Sequence, residues 1–294
     1  MNIGIDIGGT SIKAGVVKSG EVMKLERVKT PKEKEEFVFA VKNVIQYLLE
    51  EYPDVKGIGI GCPGPLDSEK GILLNTPNLP HNTDLGVLRK EFKMPVKFNN
   101  DANSFTLAEA VYGAGKDVKH VLGVTLGTGF GCGLVVHKNI YSGRGNAVEF
   151  AHTIINKNEE EKLPHLVRGC AEQYVSVVGL LRLASKYDLD VKNPFEIYQI
   201  ATMKNEKALS VFKEFGRDLG IVLSNCIHAY DPEVIIIGGE ISQAWTYFEE
   251  AMLAAIEENC LHECPVIVRS HVKDAGVVGA SLLVSREEMM KQYS

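Results

Sequence analysis

The sequence lacks the features that mark nucleic-acid-binding, membrane and secreted proteins. It contains no run of Lys and Arg, and its net charge is −6, which argues against a nucleic-acid partner. No stretch approaches the roughly 18 apolar residues that a membrane helix needs, so we expect no membrane association. The chain goes directly into a strand pattern, so we expect no secretory signal peptide.

Two short motifs are also missing. None of the six cysteines belongs to a CxxC pair, so we interpret them as reduced thiols and expect a cytoplasmic protein. The phosphate loop G-x-x-x-x-G-K-[ST] is absent, so any nucleotide must be bound in another way. With 294 residues, of which 45% are hydrophobic and 24% charged, the chain is long enough for two globular domains.

What the chain does contain is a glycine-rich pattern that occurs twice. Residues 3–17 and 122–136 match at an offset of 119 residues, apolar on apolar and Gly4 and Gly8 on Gly123 and Gly127. Each copy predicts a buried strand, a tight glycine turn and a returning strand. Two such turns, one in each lobe, can hold the phosphates of a nucleotide through backbone N–H groups, which suggests a phosphotransferase.

The rest of the chain alternates strand and helix patterns, which is typical of an α/β protein. Apolar residues on one stripe predict a helix over 33–52, and short apolar runs predict strands at 57–61, 95–98 and 233–237. We predict an N-terminal α/β lobe over 1–112, joined by a C-terminal helix over 280–294. A second α/β lobe is predicted over 113–279.

Three polar or glycine-rich segments are candidates for chemistry. Asp6 ends a strand beside Gly8, Gly9 and Thr10, with Lys13 following, which suits phosphate and water-bound Mg²⁺; the alternative is a β-hairpin with a capping Asp.

The second segment, 99–103, follows a strand and contains Asp101, which could accept a proton from an attacking hydroxyl. An ordinary helix N-cap is the alternative. The third segment, Gly238 and Gly239, follows an apolar strand. Two glycines alone are weak evidence, but as the third glycine turn of the chain they could face phosphate or adenosine.

Six motifs occur in the order found in the ROK (repressor, open reading frame, kinase) sugar kinases, which the chain resembles over almost its whole length. They are Asp6-Ile7-Gly8-Gly9-Thr10, Gly61-Cys62-Pro63-Gly64-Pro65-Leu66-Asp67, Pro77-Asn78-Leu79-Pro80, Asn100-Asp101-Ala102-Asn103, Leu126-Gly127-Thr128-Gly129-Phe130-Gly131 and Ile236-Ile237-Gly238-Gly239. The resemblance implies an actin/hexokinase-like two-lobe α/β fold with duplicated ribonuclease H-like cores and an active-site cleft between the lobes. It also implies ATP and Mg²⁺ as cofactors.

The same resemblance implies roles for single residues. Asp101 matches the catalytic base, which would act on a sugar hydroxyl, most simply that at C6. The other implied sugar contacts are Asn78, Asn100, Glu149, His152 and Glu172. The implied nucleotide-binding residues are Asp6, Gly8, Gly9, Thr10, Lys13, Thr125, Gly127, Thr128, Gly129, Gly238 and Gly239.

The chain departs from the family's zinc motif, Cys-x-Cys-Gly-x-x-Gly-Cys. Leu163 and His165 stand at the first two cysteine positions, which leaves His152, His165 and Cys170 as candidate ligands, and Glu160 or Glu161 as an alternative fourth. A closed structural zinc site needs four ligands, so we predict that zinc is absent.

Which hexose or N-acetylhexosamine is used stays open, as does a homodimer. Two other functions are alternatives: a sugar-binding sensor without catalysis, and an actin-like ATPase that acts on a partner protein. A DNA-binding repressor is not expected, because the chain starts at the first strand.

Overall fold

A computed structural model describes residues 1–74, 76 and 78–285 of the chain. Its contacts divide it into two compact units. Among the described residues, unit 1 comprises Met1–Gly123, Gly133–Val148 and the segment 271–285, and unit 2 comprises Val124–Cys132 and Glu149–Ser270. The predicted domain limits, 1–112 and 113–279, stay predictions.

The first sheet lies in unit 1 and begins with the predicted strand-turn-strand segment. Its strands are β1 (Asn2–Ile7), β2 (Ser11–Lys18), β3 (Glu21–Lys29), β4 (Ile58–Cys62) and β8 (Val96–Asn100). The spatial order is β3-β2-β1-β4-β8, with β1, β4 and β8 parallel. A small antiparallel sheet, which the sequence did not predict, contains β5 (Leu66–Asp67), β6 (Ile72–Leu73) and β7 (Thr83–Asp84).

The second five-stranded sheet repeats the strand order of the first. Its strands are β9 (His120–Leu126), β10 (Phe130–Val136), β11 (Asn139–Ile140), β12 (Val234–Gly238) and β13 (Val266–Arg269). The spatial order is β11-β10-β9-β12-β13, which places the third, second, first, fourth and fifth strands side by side as in the first sheet. Ile7, which ends β1, corresponds to Leu126, which ends β9, at the 119-residue offset. The duplicated strand-turn-strand pattern is therefore confirmed.

The described residues form eight α-helices, and four of them begin with a side-chain cap. They are α1 (Lys34–Glu51), α2 (Leu88–Glu91), α3 (Asp101–Tyr112), α4 (Val177–Lys186), α5 (Pro194–Thr202), α6 (Glu206–Tyr230), α7 (Trp245–Asn259) and α8 (Ala275–Leu282). The side chains of Ser176, Asn193 and Asn205 cap α4, α5 and α6 by accepting backbone N–H bonds. In α1, the predicted stripe is buried at Phe37 and Val41.

Helix α8 packs at backbone distance on the first sheet, within unit 1. Any side chain at Gly59 in β4 would overlap the carbonyl group of Ala280 in α8. The apolar residues Val277 and Val278 are fully buried there. The predicted C-terminal helix over 280–294 falls partly on residues 286–294, which lie outside the described residues. No helix in the described part of the chain is long and apolar enough to cross a membrane.

Candidate functional site

The first glycine turn joins β1 to β2 and is fixed by backbone and hydroxyl groups. The Gly8 N–H donates to the Ser11 carbonyl at 2.9 Å, and the Thr30 hydroxyl donates to the Gly8 carbonyl at 2.7 Å. The Thr30 N–H donates to the Thr10 carbonyl at 3.0 Å. Thr30 directly follows β3, so three strands hold this turn, and Thr10 is left exposed to solvent.

Asp6 lies at the end of β1, directly opposite Lys13 in the antiparallel register. Burial raises the pKa of the Asp6 carboxyl; Lys13 opposes this shift and Asp274 adds to it. A Cβ at Gly276, in the first turn of α8, would lie 2.7 Å from the Asp6 Cγ. The absence of a side chain at Gly276 therefore makes room for the carboxylate of Asp6.

Asn100 and Asp101 lie where β8 ends and α3 begins. The Asn100 Oδ1 accepts from the N–H groups of Ala102 at 2.8 Å and Asn103 at 3.3 Å, so Asn100 is the N-cap. Asp101 is the first residue of the helix, and its Oδ1 accepts from the Ala102 N–H at 2.9 Å. The cap that the sequence suggested for this segment is therefore supplied mainly by the neighbour of Asp101.

The ends of the parallel strands in unit 1 bring two carboxylates near one thiol. Cys62 ends β4 beside Asn100 in β8, and its side chain is fully buried. Burial, and after it the charges of Asp101 and Asp6, raise the pKa of the Cys62 thiol. Asp6 and Asp101 therefore lie at the same edge of one sheet, where ligands of α/β proteins bind.

Asn78 adopts a left-handed backbone conformation with φ of 69° and lies against the first glycine turn. A Cβ at Gly9 would lie 2.9 Å from the Asn78 Cβ. The ammonium group of Lys32 donates to the carbonyl of Gly9 at 3.1 Å and to the carbonyl of Asn78 at 3.0 Å. Lys32 thus joins two motifs that lie almost 70 residues apart in sequence.

The second and third glycine turns lie together in unit 2. The Gly127 N–H donates to the Gly129 carbonyl at 3.0 Å, and the Val177 N–H donates to the Gly127 carbonyl at 3.0 Å. Gly239 has φ of 87°, and a side chain there would overlap the carbonyl of Leu126, the residue before Gly127. Only glycine suits this position, which brings the Gly238–Gly239 turn to the end of β9 beside Thr125.

Glu149, His152 and Glu172, the implied sugar contacts of unit 2, influence one another electrostatically. Desolvation raises the pKa of the Glu149 carboxyl, which Glu172 raises further and His152 lowers. The Glu172 Oε2 accepts from the Phe130 N–H at 2.9 Å. Glu172 is therefore held by the first residue of β10, next to Thr128 and Gly129, and its charge, like that of His152, acts on Glu149.

The candidate zinc ligands differ in their surroundings. Cys170 is fully buried, and desolvation raises the pKa of its thiol, whereas His152 and His165 are exposed. Among the described residues, no group of three His, Cys, Asp or Glu side chains is arranged to hold a metal ion. The prediction that zinc is absent stays a prediction, to be tested by elemental analysis.

Sequence reasoning brought out most of these positions but missed two residues. Lys32 stands in a charged stretch whose composition resembles a solvated loop, so nothing in the sequence singled it out. Gly276 follows Asp274 and Ala275, and its proximity to Asp6 depends on the fold.

Comparison with known proteins places the chain among sugar kinases. The profile described as "ROK family" matches residues 2–287. A glucokinase of Thermotoga maritima is 30% identical over 96% of this chain and 96% of its own length. An N-acetyl-D-glucosamine kinase of Vibrio atlanticus is 32% identical over 96% of this chain and 99% of its own length.

The fold agrees with this result. The crystal structure of a ROK family glucokinase from Streptomyces griseus, in complex with glucose and AMPPNP, superposes with a TM-score of 0.86. It is 27% identical, and the match covers 97% of this chain and 99% of that one. The fold is thus the actin/hexokinase-like fold that the sequence predicted. With a family match over nearly its whole length, this chain belongs to the ROK family.

Proposed function

We propose that this protein is an ATP-dependent sugar kinase that phosphorylates a hexose or N-acetylhexosamine, at the C6 hydroxyl, with Asp101 as general base. The observation that carries the proposal is that Asn100, and not Asp101, is the N-cap residue of α3. The helix therefore does not require a carboxylate at position 101, and proton acceptance gives a reason for one. The names and the glucose and AMPPNP complex of the relatives support the substrate class.

In the proposed reaction, the Asp101 carboxylate orients the sugar hydroxyl and accepts its proton as the oxygen attacks the γ-phosphorus of ATP. The bond from the γ-phosphorus to the bridging oxygen breaks, and ADP leaves with that electron pair. The backbone N–H groups of the glycine turns stabilise the charge on the phosphates.

The sugar offers hydroxyl groups, which amides, carboxylates and imidazole can bind by hydrogen bonds. Asn78 and Asn100 in unit 1 are proposed to supply such groups, as are Glu149, His152 and Glu172 in unit 2. The contact of Glu172 with the β9–β10 turn supports this role, because it holds the carboxylate in one place.

The residues around Asp6 fit a magnesium ion. Mg²⁺ prefers oxygen ligands and keeps several waters, so one or two carboxylates suffice. The Asp6 carboxyl is influenced by the charge of Asp274, and Gly276 makes room for it; a bound cation would oppose the burial that raises the pKa of this group. We propose that Asp6 holds the ion through water; when bound, Mg²⁺ would neutralise charge on the phosphates of ATP.

ATP consumption with a panel of sugars tests this function. The panel contains glucose, mannose, allose, fructose, N-acetylglucosamine and N-acetylmannosamine, each measured with and without Mg²⁺. We expect turnover that needs both Mg²⁺ and one of these sugars, and a sugar 6-phosphate as the product by NMR.

The same assay separates the two alternatives. Sugar binding by calorimetry without any turnover would favour a non-catalytic sensor, and equal ATP hydrolysis with every sugar and with none would favour an ATPase. When Asp101→Asn is tested in this assay, Asp54→Asn is its matched control, because Asp54 is an exposed aspartate of unit 1 outside all the motifs.

A further inference from the structure

Glu172 lies on a short turn whose position decides where its carboxylate points. The turn spans Ala171–Gln173, and its only long-range backbone anchor among those described is the Ala171 N–H, which donates to the Thr153 carbonyl at 2.9 Å. Glu172 itself contacts Phe130, at the start of β10. A carboxylate on so short an element needs further support if it is to stay within hydrogen-bonding distance of a ligand.

The two residues that follow Glu172 supply part of this support. The Gln173 side chain is fully buried; its Oε1 accepts from the Gly169 N–H at 2.9 Å and its amide donates to the Glu161 carbonyl at 3.0 Å. The Tyr174 hydroxyl donates to the Glu159 Oε2 at 2.6 Å and accepts from the Asn156 amide at 2.8 Å. Both side chains therefore anchor the turn to the segment 156–169.

Arg182, one and a half turns into α4, joins these anchors. Its guanidinium pairs with the Glu159 Oε2 at 2.8 Å and with the Glu161 Oε2 at 3.0 Å. It also lies 5.4 Å from the centre of the Tyr174 ring. The planar guanidinium thus donates to two carboxylates while it also lies near the Tyr174 ring, which a lysine could not do.

The burial of this network distinguishes it from an ordinary surface ion pair. The side chain of Glu159 is only 11% exposed and that of Arg182 is 28% exposed. The Arg217–Glu258 pair of the same unit is 63% and 61% exposed, with an N–O distance of 3.1 Å. Partly buried pairs that share hydrogen bonds with a third group hold their geometry better than exposed pairs.

We propose that Arg182 is a positioning residue for the kinase reaction, which acts with Glu159 and Tyr174 to hold the 171–174 turn and thereby the carboxylate of Glu172. This inference rests on the proposed function, because Glu172 is there a sugar contact. The helix α4 that carries Arg182 also supplies the Val177 N–H that holds the Gly127 carbonyl. One helix therefore stabilises both the glycine turn and the sugar-binding side chain beside it.

The test compares Arg182→Met with Arg217→Met, which breaks the exposed ion pair and serves as the matched control. Steady-state kinetics use glucose or N-acetylglucosamine, whichever supports turnover. We expect Arg182→Met to raise the KM for the sugar by at least about tenfold and to change kcat by less than about threefold, because displacing a ligand-binding group weakens binding. Arg217→Met should behave as the wild type.

Two further variants show whether the residues act together. Glu159→Gln should raise the sugar KM in the same direction by a smaller factor, and should add little in the Arg182→Met background, because the two changes remove one interaction. Arg182→Lys should rescue only part of the effect. If Arg182→Met fails to fold, Glu159→Gln alone decides the question by the same criterion.

Amide hydrogen exchange at Phe130 gives a readout that does not need activity. The Phe130 N–H is protected by Glu172, so Arg182→Met should speed its exchange while Arg217→Met should not. If the wild type hydrolyses ATP equally with every sugar and with none, the proposed function fails and this measurement alone tests the positioning role. Unchanged Phe130 exchange and an unchanged sugar KM in Arg182→Met, even with a lower Tm, would overturn the inference.

Discussion

Asn100 caps helix α3 with its side chain, while Asp101, the next residue, occupies the first position of the helix. The Asn100 Oδ1 accepts two backbone N–H groups, those of Ala102 and Asn103. The two neighbours therefore have different expected effects: removing Asn100 should lower stability and sugar affinity, and changing Asp101 should lower turnover. From the sequence alone, either Asn100 or Asp101 could have been the N-cap of α3.

Asp101→Asn should cut kcat by roughly 10²–10⁴, because an amide hydrogen-bonds a hydroxyl but cannot accept its proton. Sugar affinity and Tm should stay close to those of the wild type, since Asn can still accept from the Ala102 N–H. Steady-state kinetics and thermal unfolding measure both quantities.

Asn100→Ala is the partner experiment for this prediction. It should lower the free energy of unfolding by about 1 kcal/mol, because it removes the N-cap. Near-normal turnover of Asp101→Asn would remove Asp101 from the mechanism, whatever the result for Asn100.

Lys32→Met should raise the KM for both ATP and the sugar by about three- to tenfold, on the scale of losing one or two charge-assisted hydrogen bonds. Lys32 donates to the carbonyl groups of Gly9 and Asn78, so its loss should loosen the glycine turn and the Asn78 loop together. Lys34→Met, at an exposed lysine two residues away, is the control with the same change of charge. A KM effect on one substrate alone would contradict this joint role.

Zinc should be absent from the purified protein or present well below one ion per chain. Leu163 removes one ligand position of the family motif, and the exposed His152 and His165 do not approach a closed site with Cys170 in the described structure. Elemental analysis before and after dialysis against EDTA measures this. One tightly held zinc per chain that disappears in Cys170→Ala would refute the prediction.

Asp218→Asn should stabilise the protein at pH 8 and have little effect near pH 4. Burial, and the charge of Glu214, raise the pKa of Asp218 to about 6, so the folded state favours the protonated form. The stability due to this group is full below the unfolded pKa and is lost as the pH rises towards about 6. Above that pH the substitution should gain at most about 3 kcal/mol.

Thermal unfolding between pH 4 and 8 tests this linkage. Asp190→Asn, at an exposed aspartate of the same unit, is the control and should show no such trend. A stabilisation by Asp218→Asn that is equal at both ends of the pH range would mean that ionisation of Asp218 is not its cause.

The elements of the fold followed from local patterns in the sequence. The stripe from Phe37 to Leu48 predicts α1 because residues three or four apart share a helix face, and the glycine-rich repeat predicts β1–β2 and β9–β10 because tight turns need glycine. Each of these patterns lies within one short segment of the chain, so one sequence suffices to detect it.

The supporting contacts of the site could not be predicted, because they join distant segments. Arg182 contacts Glu159 across 23 residues, and the stretch of chain between Asp6 and Gly276 includes the whole of unit 2. Their residue types are also common in solvated loops, as Lys32 shows. Deciding that Asn100 is the N-cap likewise required coordinates, since four of the five residues 99–103 are good capping residues.

The close packing of α8 has a consequence for biosynthesis. The backbone of this helix meets the first sheet at Gly59, yet its residues, Ala275–Leu282, come after every strand in both sheets. Strands β1 and β4, which α8 covers at Gly4 and Gly59, therefore expose an apolar face until the ribosome has made the chain past Leu282. Unit 1, although β1 comes first in sequence, can be completed only after the whole of unit 2 has been made.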